Sequence, residues 1–252
     1  MIYGDFHSLQ GESLKAQLVA KDGKKYEQTL SFSLFDGVYT TSNSTVVSEA
    51  QAQAIIDDLA QPFTVSAVTK KEIRRSPPPP FTTSTLQQDA GRRLYFSSKR
   101  TMQVAQKLYE EGHITYHRTD SVNLSEKFIT EARDYIATSH GKEFVPPSPR
   151  HFKTKSKVAQ EAHEAIRPTN VSLPSLNAIV DGDLNKDHLR LYELIWKRAM
   201  GSQSADAIFD STTITITSVN GYAFTASGSV IKFARFLKII GRAAEDIVGP
   251  DV

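Results

Sequence analysis

The hydrophobic pattern of the chain changes twice, and this order restricts the fold more than any other feature of the sequence. Residues 1–76 carry short or alternating apolar runs typical of strands, and residues 77–203 carry the spacing of amphipathic helices. Residues 204–240 return to alternation. The economical interpretation is an α+β fold in which a helical domain is inserted into a β domain, with residues 241–252 as the start of a further helical domain.

Short sequence signals refine the ends of this pattern. The pairs Asp22-Gly23 and Asn220-Gly221 lie between strand-like runs and predict tight hairpins. Residues 36–47 are rich in Gly, Thr and Ser and are predicted to form a loop, whereas residues 231–240 are predicted to add a strand. The run Pro77–Pro80 lacks backbone donors and favours a stiff spacer between the domains, the alternative being a ligand for a proline-binding module.

Capping residues and glycines set the helix boundaries in the middle of the chain. Ser84 or Thr85 is predicted to begin one helix, a second is predicted to end before Gly112, and a third to begin at Ser125. The segment between the second and third helices is therefore a short loop between two well-terminated helices. Such support suits a site whose side chains must be held in fixed positions.

Composition restricts the class of protein. The chain is 39% hydrophobic and 23% charged, which is typical of a globular protein. No apolar run approaches the roughly 20 residues that a membrane span needs. The absence of cysteine excludes disulfides and thiolate zinc sites and suits a reducing compartment, so a cytoplasmic location is expected. The net charge is only +2, but Lys70 to Arg118 contains ten Lys or Arg against four Asp or Glu. Such a surplus suits a polyanionic partner, the alternative being a solvated basic face.

The predicted loop contains side chains suited to chemistry on a phosphate. It runs from Thr115 to Ser121 and places Tyr116 two residues before Arg118. A free tyrosine hydroxyl has a pKa of about 10, so it attacks phosphorus at neutral pH only where fixed charge stabilises the product. In an extended segment Tyr116 and Arg118 project to the same side and His117 to the other. A Tyr that anchors a loop beside a solvated ion pair is the structural alternative.

Three segments together resemble the type IA DNA topoisomerases. The loop reads Y-x-R-T-D-S, as in the active-site segment of that family. Residues 81–88 resemble its F-x-T-S-T-L-Q-Q segment, and residues 161–169 match its E-A-H-E-A-I-R-P-T segment. The resemblance implies a β-rich arch domain with an inserted all-helical domain that carries the nucleophilic tyrosine.

The resemblance also assigns residue roles. Tyr116 is implied as the nucleophile, Arg118 as the residue that positions the scissile phosphate, and His163 as a phosphate contact that assists the tyrosine. His163 and Arg167 would share one face if their segment is helical. The residues expected to contact DNA are Ser84, Thr85, Gln87, Gln88, Thr119, Asp120, Ser121, Arg167 and Thr169.

The implied reaction is relaxation of negatively supercoiled DNA through a 5′-phosphotyrosyl intermediate, strand passage and religation. Type IA enzymes bind Mg²⁺ through an acidic cluster in a Toprim domain, and no such cluster is apparent here. Asp181-Gly182-Asp183 has suitable spacing but lies in the wrong region. The expectation is a central part of a larger, monomeric bacterial enzyme that acts chiefly on single-stranded DNA, needs the remaining domains to relax DNA, and contains no metal ligands of its own.

Other functions fit some of the same residues. A tyrosine recombinase or type IB topoisomerase also uses Tyr, Arg and His, but its nucleophile follows an H-x-x-R element, whereas here Tyr116 precedes His163. A non-catalytic single-strand-binding module would use Tyr116 for stacking on a base. A purely structural scaffold is the third alternative.

Overall fold

Strands occupy both ends of the described chain, and helices occupy its middle. The computed structural model describes residues 1–34, 37–152, 164–176 and 184–241. The predicted mixture of strands and helices is confirmed. The strands are β1 (Tyr3–His7), β2 (Ser13–Lys21), β3 (Lys24–Lys25), β4 (Glu27–Leu34), β5 (Gly37–Ser44), β6 (Phe63–Arg75), β7 (Ala207–Ser218) and β8 (Tyr222–Phe233).

The helices begin at capping side chains in most cases. They are α1 (Glu49–Asp58), α2 (Thr83–Leu94), α3 (Ser98–Glu110), α4 (Glu126–His140), α5 (Lys186–Ser202) and α6 (Phe236–Ile240), with a 3₁₀ turn at Lys142–Phe144. Thr82 caps α2, two or three residues earlier than the sequence suggests, through a reciprocal pair of hydrogen bonds with Thr85. Among the helices that the structure describes, none is long and apolar enough to cross a membrane.

The described residues divide into two compact units. The first consists of residues 1–73 and 210–230, and the second of residues 74–209 and 231–241. In the sheet of the first unit the strands lie in the order β1-β2-β8-β7-β6, β3 pairs with β2, and β4 and β5 form a separate sheet of two strands. The boundaries between the units fall inside β6, β7 and β8.

Alternation along β2 creates the core of the first unit. Ala16, Leu18 and Ala20 are buried, as the two-residue period of a half-buried strand requires. Aromatic rings complete this core, because the Phe224 ring lies edge-on to Phe6 at 5.1 Å and to Phe63 at 6.0 Å between centroids.

Both predicted hairpins are present. Asp22 and Gly23 have φ values of +49° and +77°, and the positive φ of both residues is what a type I′ turn between β2 and β3 requires. Gly221, with φ of +86°, lies in the turn between β7 and β8. A dipeptide with little steric cost at positive φ therefore predicts the turn correctly at both places.

Two predictions of secondary structure are wrong. The predicted loop at residues 36–47 contains β5, which pairs with β4 along its whole length even though its side chains are exposed. Within the predicted strand at 231–240, β8 ends at Phe233 and residues Phe236–Ile240 form α6. The reason is packing, because Phe236 and Leu237 are buried against Ala207 and Phe209 of the second unit.

One apolar core holds the second unit together. It contains residues from α2, α3, α4 and α5, with Leu86, Leu108, Phe128, Ile136 and Ile195 among its most deeply buried side chains. The helices use the faces that their apolar spacing predicts. The loop between α3 and α4 is therefore held by a packed body at both ends.

The proline run belongs to the second unit and is not a free spacer. Pro77 and Pro80 are buried. The Arg198 Nε donates a hydrogen bond of 2.6 Å to the Pro79 carbonyl, and its Nη1 lies 3.1 Å from a carboxylate oxygen of the buried Asp89. A distant arginine on α5 thus fixes a segment whose own sequence indicates only stiffness.

Removing this carboxylate should destabilise the second unit. We expect Asp89→Leu to lower the free energy of unfolding by about 3–5 kcal/mol, because the largely buried Arg198 charge loses the carboxylate that balances it. Urea titration followed by circular dichroism measures the change. Glu131→Leu is the matched control, since it removes the partner of the exposed Lys127 and should cost less than about 1 kcal/mol. Equal losses in the two variants would contradict this account.

Candidate active site around Tyr116

Three stretches that are far apart in sequence meet through backbone hydrogen bonds. The Ile166 amide donates to the Phe81 carbonyl at 2.9 Å, and the Thr115 amide donates to the Arg167 carbonyl at 2.9 Å. Antiparallel bridges join Phe81 to Ile166 and Ile114 to Pro168. The segment 164–169 is therefore extended between its two partners, and the helical arrangement considered for it is wrong. All three motif segments contribute to one structure.

Thr83, the first residue of α2, holds the middle of the loop. Its amide donates to the Thr119 carbonyl at 2.9 Å. Its hydroxyl donates to the His117 carbonyl at 2.8 Å and accepts from the Thr119 amide at 3.0 Å. One side chain thus satisfies the backbone on both sides of Arg118. A loop without regular secondary structure depends on such partners.

Thr115 performs the same function at the start of the loop. Its hydroxyl donates to the Ala165 carbonyl at 2.7 Å and accepts from the Arg167 amide at 2.9 Å. At the other end of the loop the Ala165 amide donates to the Asn123 carbonyl at 2.7 Å. The position of the tyrosine backbone is therefore fixed by residues about 50 positions later in the chain.

Burial alternates along the loop as it does in a strand. Tyr116, Arg118 and Asp120 are exposed, whereas His117 and Thr119 are buried. The geometric prediction that Tyr116 and Arg118 project to one side, with His117 facing away, agrees with this pattern. A phenol that is 44% exposed lies on the same side of the loop as a permanent cation.

Two of the residues expected to contact DNA lie on the inner side of the loop. Thr119 and Ser121 are 8% and 1% exposed. The Thr119 hydroxyl accepts from the Ser121 amide, and the Ser121 hydroxyl accepts from the Asn123 amide, both at 3.1 Å. Their observed contacts maintain the loop, and the exposed Asp120 is the polar side chain between them.

Two aromatic rings pack against the ring of the candidate nucleophile. The Tyr116 ring lies 5.3 Å from that of Tyr109 and 5.4 Å from that of His117, and the Tyr109 and His117 rings are 5.9 Å apart. The His117 imidazole is fully buried. Burial and the adjacent Arg118 charge lower its pKa below the ordinary 6.5, against the opposing effect of Glu110.

Arg167 is already bound to a carboxylate. Its Nη2 lies 2.6 Å from a Glu164 carboxylate oxygen, and its guanidinium packs over the Phe128 ring at 4.9 Å. Burial opposes ionisation of Glu164, but hydrogen bonds from Arg167 and from the Ser125 amide outweigh it and lower the pKa of Glu164. Ser125 is the N-cap residue of α4, so the Glu164 carboxylate also lies at the N-terminus of that helix, where a negative charge is favourable. His163, the other predicted catalytic residue in this segment, lies outside the described residues.

The first two turns of α2 present four further predicted contacts. Ser84 and Gln88 are exposed and Gln87 is half-buried, whereas the Thr85 hydroxyl is engaged with Thr82 in the helix cap. Because Thr83 joins these turns to the loop, the side chains of Ser84 and Gln87 are held by the same element that positions the loop. A helix N-terminus adds a favourable field for an anion there.

A polar cleft lies next to the extended segment. Its volume is about 350 Å³, and its lining includes Lys127, Arg167 and Thr169. Within the described residues, no group of three or more His, Asp or Glu side chains is placed to hold a metal ion. The chemistry that these residues offer is therefore anion binding by cations and amides around an exposed phenol.

The fold and the site define a protein that carries an exposed tyrosine and an exposed arginine on one side of a loop in a helical body. The chain belongs to the DNA topoisomerase family, whose model matches residues 10–248. It is 43% identical to DNA topoisomerase 1 of Streptomyces coelicolor over 239 residues, which are 93% of this chain and 25% of that protein. It is 41% identical to DNA topoisomerase 1 of Mycobacterium tuberculosis over 244 residues, which are 94% and 26% of the two chains.

A solved structure agrees with these relatives. Full-length topoisomerase I from Thermotoga maritima superimposes with a TM-score of 0.62 at 32% sequence identity. The match covers 86% of this chain and 36% of that one. The chain thus spans about a quarter of the length of the curated relatives that it matches.

Sequence reasoning missed two threonines that position the tyrosine. Thr83 and Thr115 lie inside the recognised segments, but neither was singled out, because an isolated threonine hydroxyl carries no signal of its own. Their location is the usable signal, because each lies in a motif segment that contacts another motif segment. A threonine hydroxyl at such a contact can both donate and accept a hydrogen bond.

The Thr83 hydroxyl can be tested with a variant of the same shape. We expect Thr83→Val to cost about 1–3 kcal/mol of stability, because the largely buried Thr119 amide loses its acceptor, and to increase hydrogen exchange of that amide. Mass-spectrometric exchange of peptides that cover residues 113–122 measures the effect. Thr130→Val is the control, since that hydroxyl bonds only to its own helix at the surface. Exchange in the loop that is unchanged by Thr83→Val would disprove this function of Thr83.

Proposed function

We propose that this chain carries the DNA-cleaving tyrosine of a type IA DNA topoisomerase. The observation that supports the proposal most strongly is the convergence of the three motif segments on one loop, with Tyr116 and Arg118 on its exposed side. The family and the printed names of its relatives agree with this activity. Because the chain spans about a quarter of those relatives, relaxation of DNA requires further domains.

The reaction is a transesterification. The Tyr116 oxygen forms a bond to phosphorus while the bond between phosphorus and the 3′ oxygen breaks. The phenol loses its proton and the departing oxygen gains one, which leaves a 5′-phosphotyrosyl linkage and a free 3′-hydroxyl. Reversal reseals the strand, and since the linkage keeps the energy of the broken bond, no nucleotide cofactor is consumed.

The residues around Tyr116 have distinct roles in this step. Arg118 binds the non-bridging oxygens of the scissile phosphate and stabilises the charge that develops on them. His163 is proposed as a second phosphate contact. Asp120, Thr169 and the α2 side chains Ser84, Gln87 and Gln88 orient the strand on either side of the phosphate. The remaining predicted residues support the surface that meets DNA through contacts within the protein. They are Thr85, Thr119, Ser121 and Arg167.

Magnesium does not fit the residues described here. The exposed Asp120 is a single carboxylate, whereas a magnesium site gathers several oxygen ligands. We propose that Mg²⁺ is bound by a Toprim domain elsewhere in the enzyme. This chain then contributes the nucleophile and the positive charge, and the other domain contributes the metal and the groups at the leaving oxygen.

The layout that we propose is the one that family membership supports. The β unit corresponds to an arch, with the helical unit inserted into it and the residues after 240 leading into a further helical domain. The substrate is single-stranded DNA, and the enzyme is a monomer in the bacterial cytoplasm. The basic surplus between Lys70 and Arg118 supports a polyanionic substrate.

A second candidate function, single-strand binding without chemistry, is favoured by one observation. Tyr109 and Tyr116 are 40% and 44% exposed and lie next to each other, so they offer a stacking surface for a base. The hydroxyl of Tyr116 separates the two functions, because stacking needs only the ring and transesterification needs the oxygen.

We expect Tyr116→Phe to abolish a covalent adduct and leave affinity for single-stranded DNA within about twofold, since the ring that stacks is kept. The assay uses a 3′-labelled oligonucleotide with Mg²⁺ on a denaturing gel, with the chain alone and with a Toprim-containing portion of a relative added. The label stays with the protein if the linkage is to the 5′ phosphate.

Tyr109→Phe is the matched control, because it removes a neighbouring, similarly exposed hydroxyl and should leave the adduct intact. An adduct that appears only when the Toprim portion is added would show that the chain holds half of the site. Binding that is measurable without an adduct in any lane would replace the catalytic proposal with the single-strand-binding function.

Arg118 should affect the chemical step more than binding. We expect Arg118→Gln to slow adduct formation by about 10²–10³-fold, the usual effect of removing one group that stabilises a developing anion, with a much smaller loss of DNA affinity. Single-turnover adduct formation measures the rate, and Lys99→Gln, an exposed cation outside the loop, is the control. Parallel losses of rate and affinity in Arg118→Gln would assign it to binding alone.

A further inference from the structure

His117 is the one loop residue whose side chain chemistry the proposed reaction leaves unused. Its side chain is fully buried, and neither ring nitrogen has a hydrogen-bond partner among the residues that the structure describes. Buried polar groups without partners are rare and unfavourable. Phe or Met would fill the same space without this cost, so the imidazole needs another explanation.

The imidazole lies against the ring of the nucleophile. Its centroid is 5.4 Å from that of Tyr116 at an interplanar angle of 67°, and 5.9 Å from that of Tyr109. Tyr109 in turn lies edge-on to Tyr116 at 5.3 Å. Each ring of the three contacts the other two, so the direction of the Tyr116 side chain depends on the position of His117.

The backbone prevents His117 from moving out of this position. Its carbonyl accepts a hydrogen bond of 2.8 Å from the Thr83 hydroxyl, and the neighbouring Thr119 is held by the same threonine. The buried side of the loop therefore cannot turn outward without breaking these bonds. A change in the charge of the imidazole must therefore alter its packing against the Tyr109 and Tyr116 rings.

The surroundings favour the neutral imidazole. The charged groups that act on it are Arg118 on the loop and Glu110 at the end of α3, and the Tyr109 and Tyr116 rings pack against it at angles of 48° and 67°. Burial and Arg118 together lower the pKa of His117, and Glu110 compensates only in part. Protonation would create a buried positive charge on His117, next to the positive charge of Arg118.

We propose that His117 is a positioning residue: its neutral imidazole holds the Tyr116 ring, and protonation releases that hold. An imidazole differs from an apolar ring such as that of Phe in that its charge can change near neutral pH. The orientation of the nucleophile thereby depends on pH. The catalytic consequence rests on the proposed function of Tyr116, whereas the contact between the rings does not.

Nuclear magnetic resonance of the chain with labelled histidine and tyrosine rings tests the proposal without any activity. As the pH is lowered from 8 to 5, the His117 signals should titrate with a midpoint below 6.5, and the Tyr116 ring signals should shift with the same midpoint. Tyr116→Phe identifies the Tyr116 signals. Tyr116 signals that stay constant while His117 titrates would overturn the proposal, and this comparison needs no His117 variant.

Two variants add an independent readout. His117→Phe keeps a ring without titratable nitrogens, so the Tyr116 signals should no longer depend on pH. His7→Phe, at an exposed position in the other unit, is the control and should keep the wild-type titration. His117→Leu serves the same purpose should the larger ring not be accommodated. A Tyr116 titration with an unchanged midpoint in both His117 variants contradicts the proposal.

Stability provides the thermodynamic counterpart. Because the folded-state pKa of His117 lies below the unfolded value of about 6.5, its contribution to stability is present above that pH and is lost as the pH falls towards the folded pKa. The melting temperature of the wild type should therefore fall relative to that of His117→Phe below pH 6.5. Parallel melting curves across the range would contradict the linkage.

The cleavage assay then separates this inference from the proposed function. With the Toprim portion present, adduct formation by the wild type should decline on the acid side with the midpoint of His117, and His117→Phe should lack that decline at unchanged DNA affinity. A decline that is identical in both proteins overturns the positioning role. Absence of the adduct from every protein overturns the proposed function, while the resonance measurements still decide the inference about His117.

Discussion

The site depends on one requirement, that the backbone of an irregular loop must find hydrogen-bond partners when it is buried on one side. Helices and sheets satisfy this requirement internally, but the loop after α3 cannot. Its groups bond to Thr83 on one side and to residues 165–167 on the other. The conformation of Tyr116 is therefore a property of three segments together, and the helical core matters to the site because it brings those segments to one place.

Much of this arrangement can be predicted from the sequence, and the reason is local geometry. The two-residue period places Tyr116 and Arg118 on one side of an extended loop, and dipeptides that tolerate positive φ predict both hairpins. Such features depend only on neighbouring residues. The assignment of catalytic and DNA-binding roles stays a prediction, since family membership supports it without testing it residue by residue.

The features that could not be predicted depend on distant partners. The strand β5 is composed of exposed, mostly polar residues and exists because β4 pairs with it. The helix α6 forms because its apolar residues pack on β7, and the proline run is fixed by Arg198, which lies more than a hundred positions later. The extended form of 164–169 has the same cause, because Phe81 and Ile114 provide its bridges. In each case the conformation is decided by tertiary contacts, and local propensity does not predict it.

The spacing of the contacts made by Thr83 and Thr115 has a consequence for folding during synthesis. Their partners lie 36 and 52 residues away, so these bonds form only after much of the helical unit has already condensed. During synthesis, a nascent chain displays its tyrosine long before the surrounding loop acquires its shape. Such an immature chain has no fixed direction for the Tyr116 side chain. The exposed pair of Tyr116 and Arg118 is thus a product of completed folding, and not of the short motif that contains both residues.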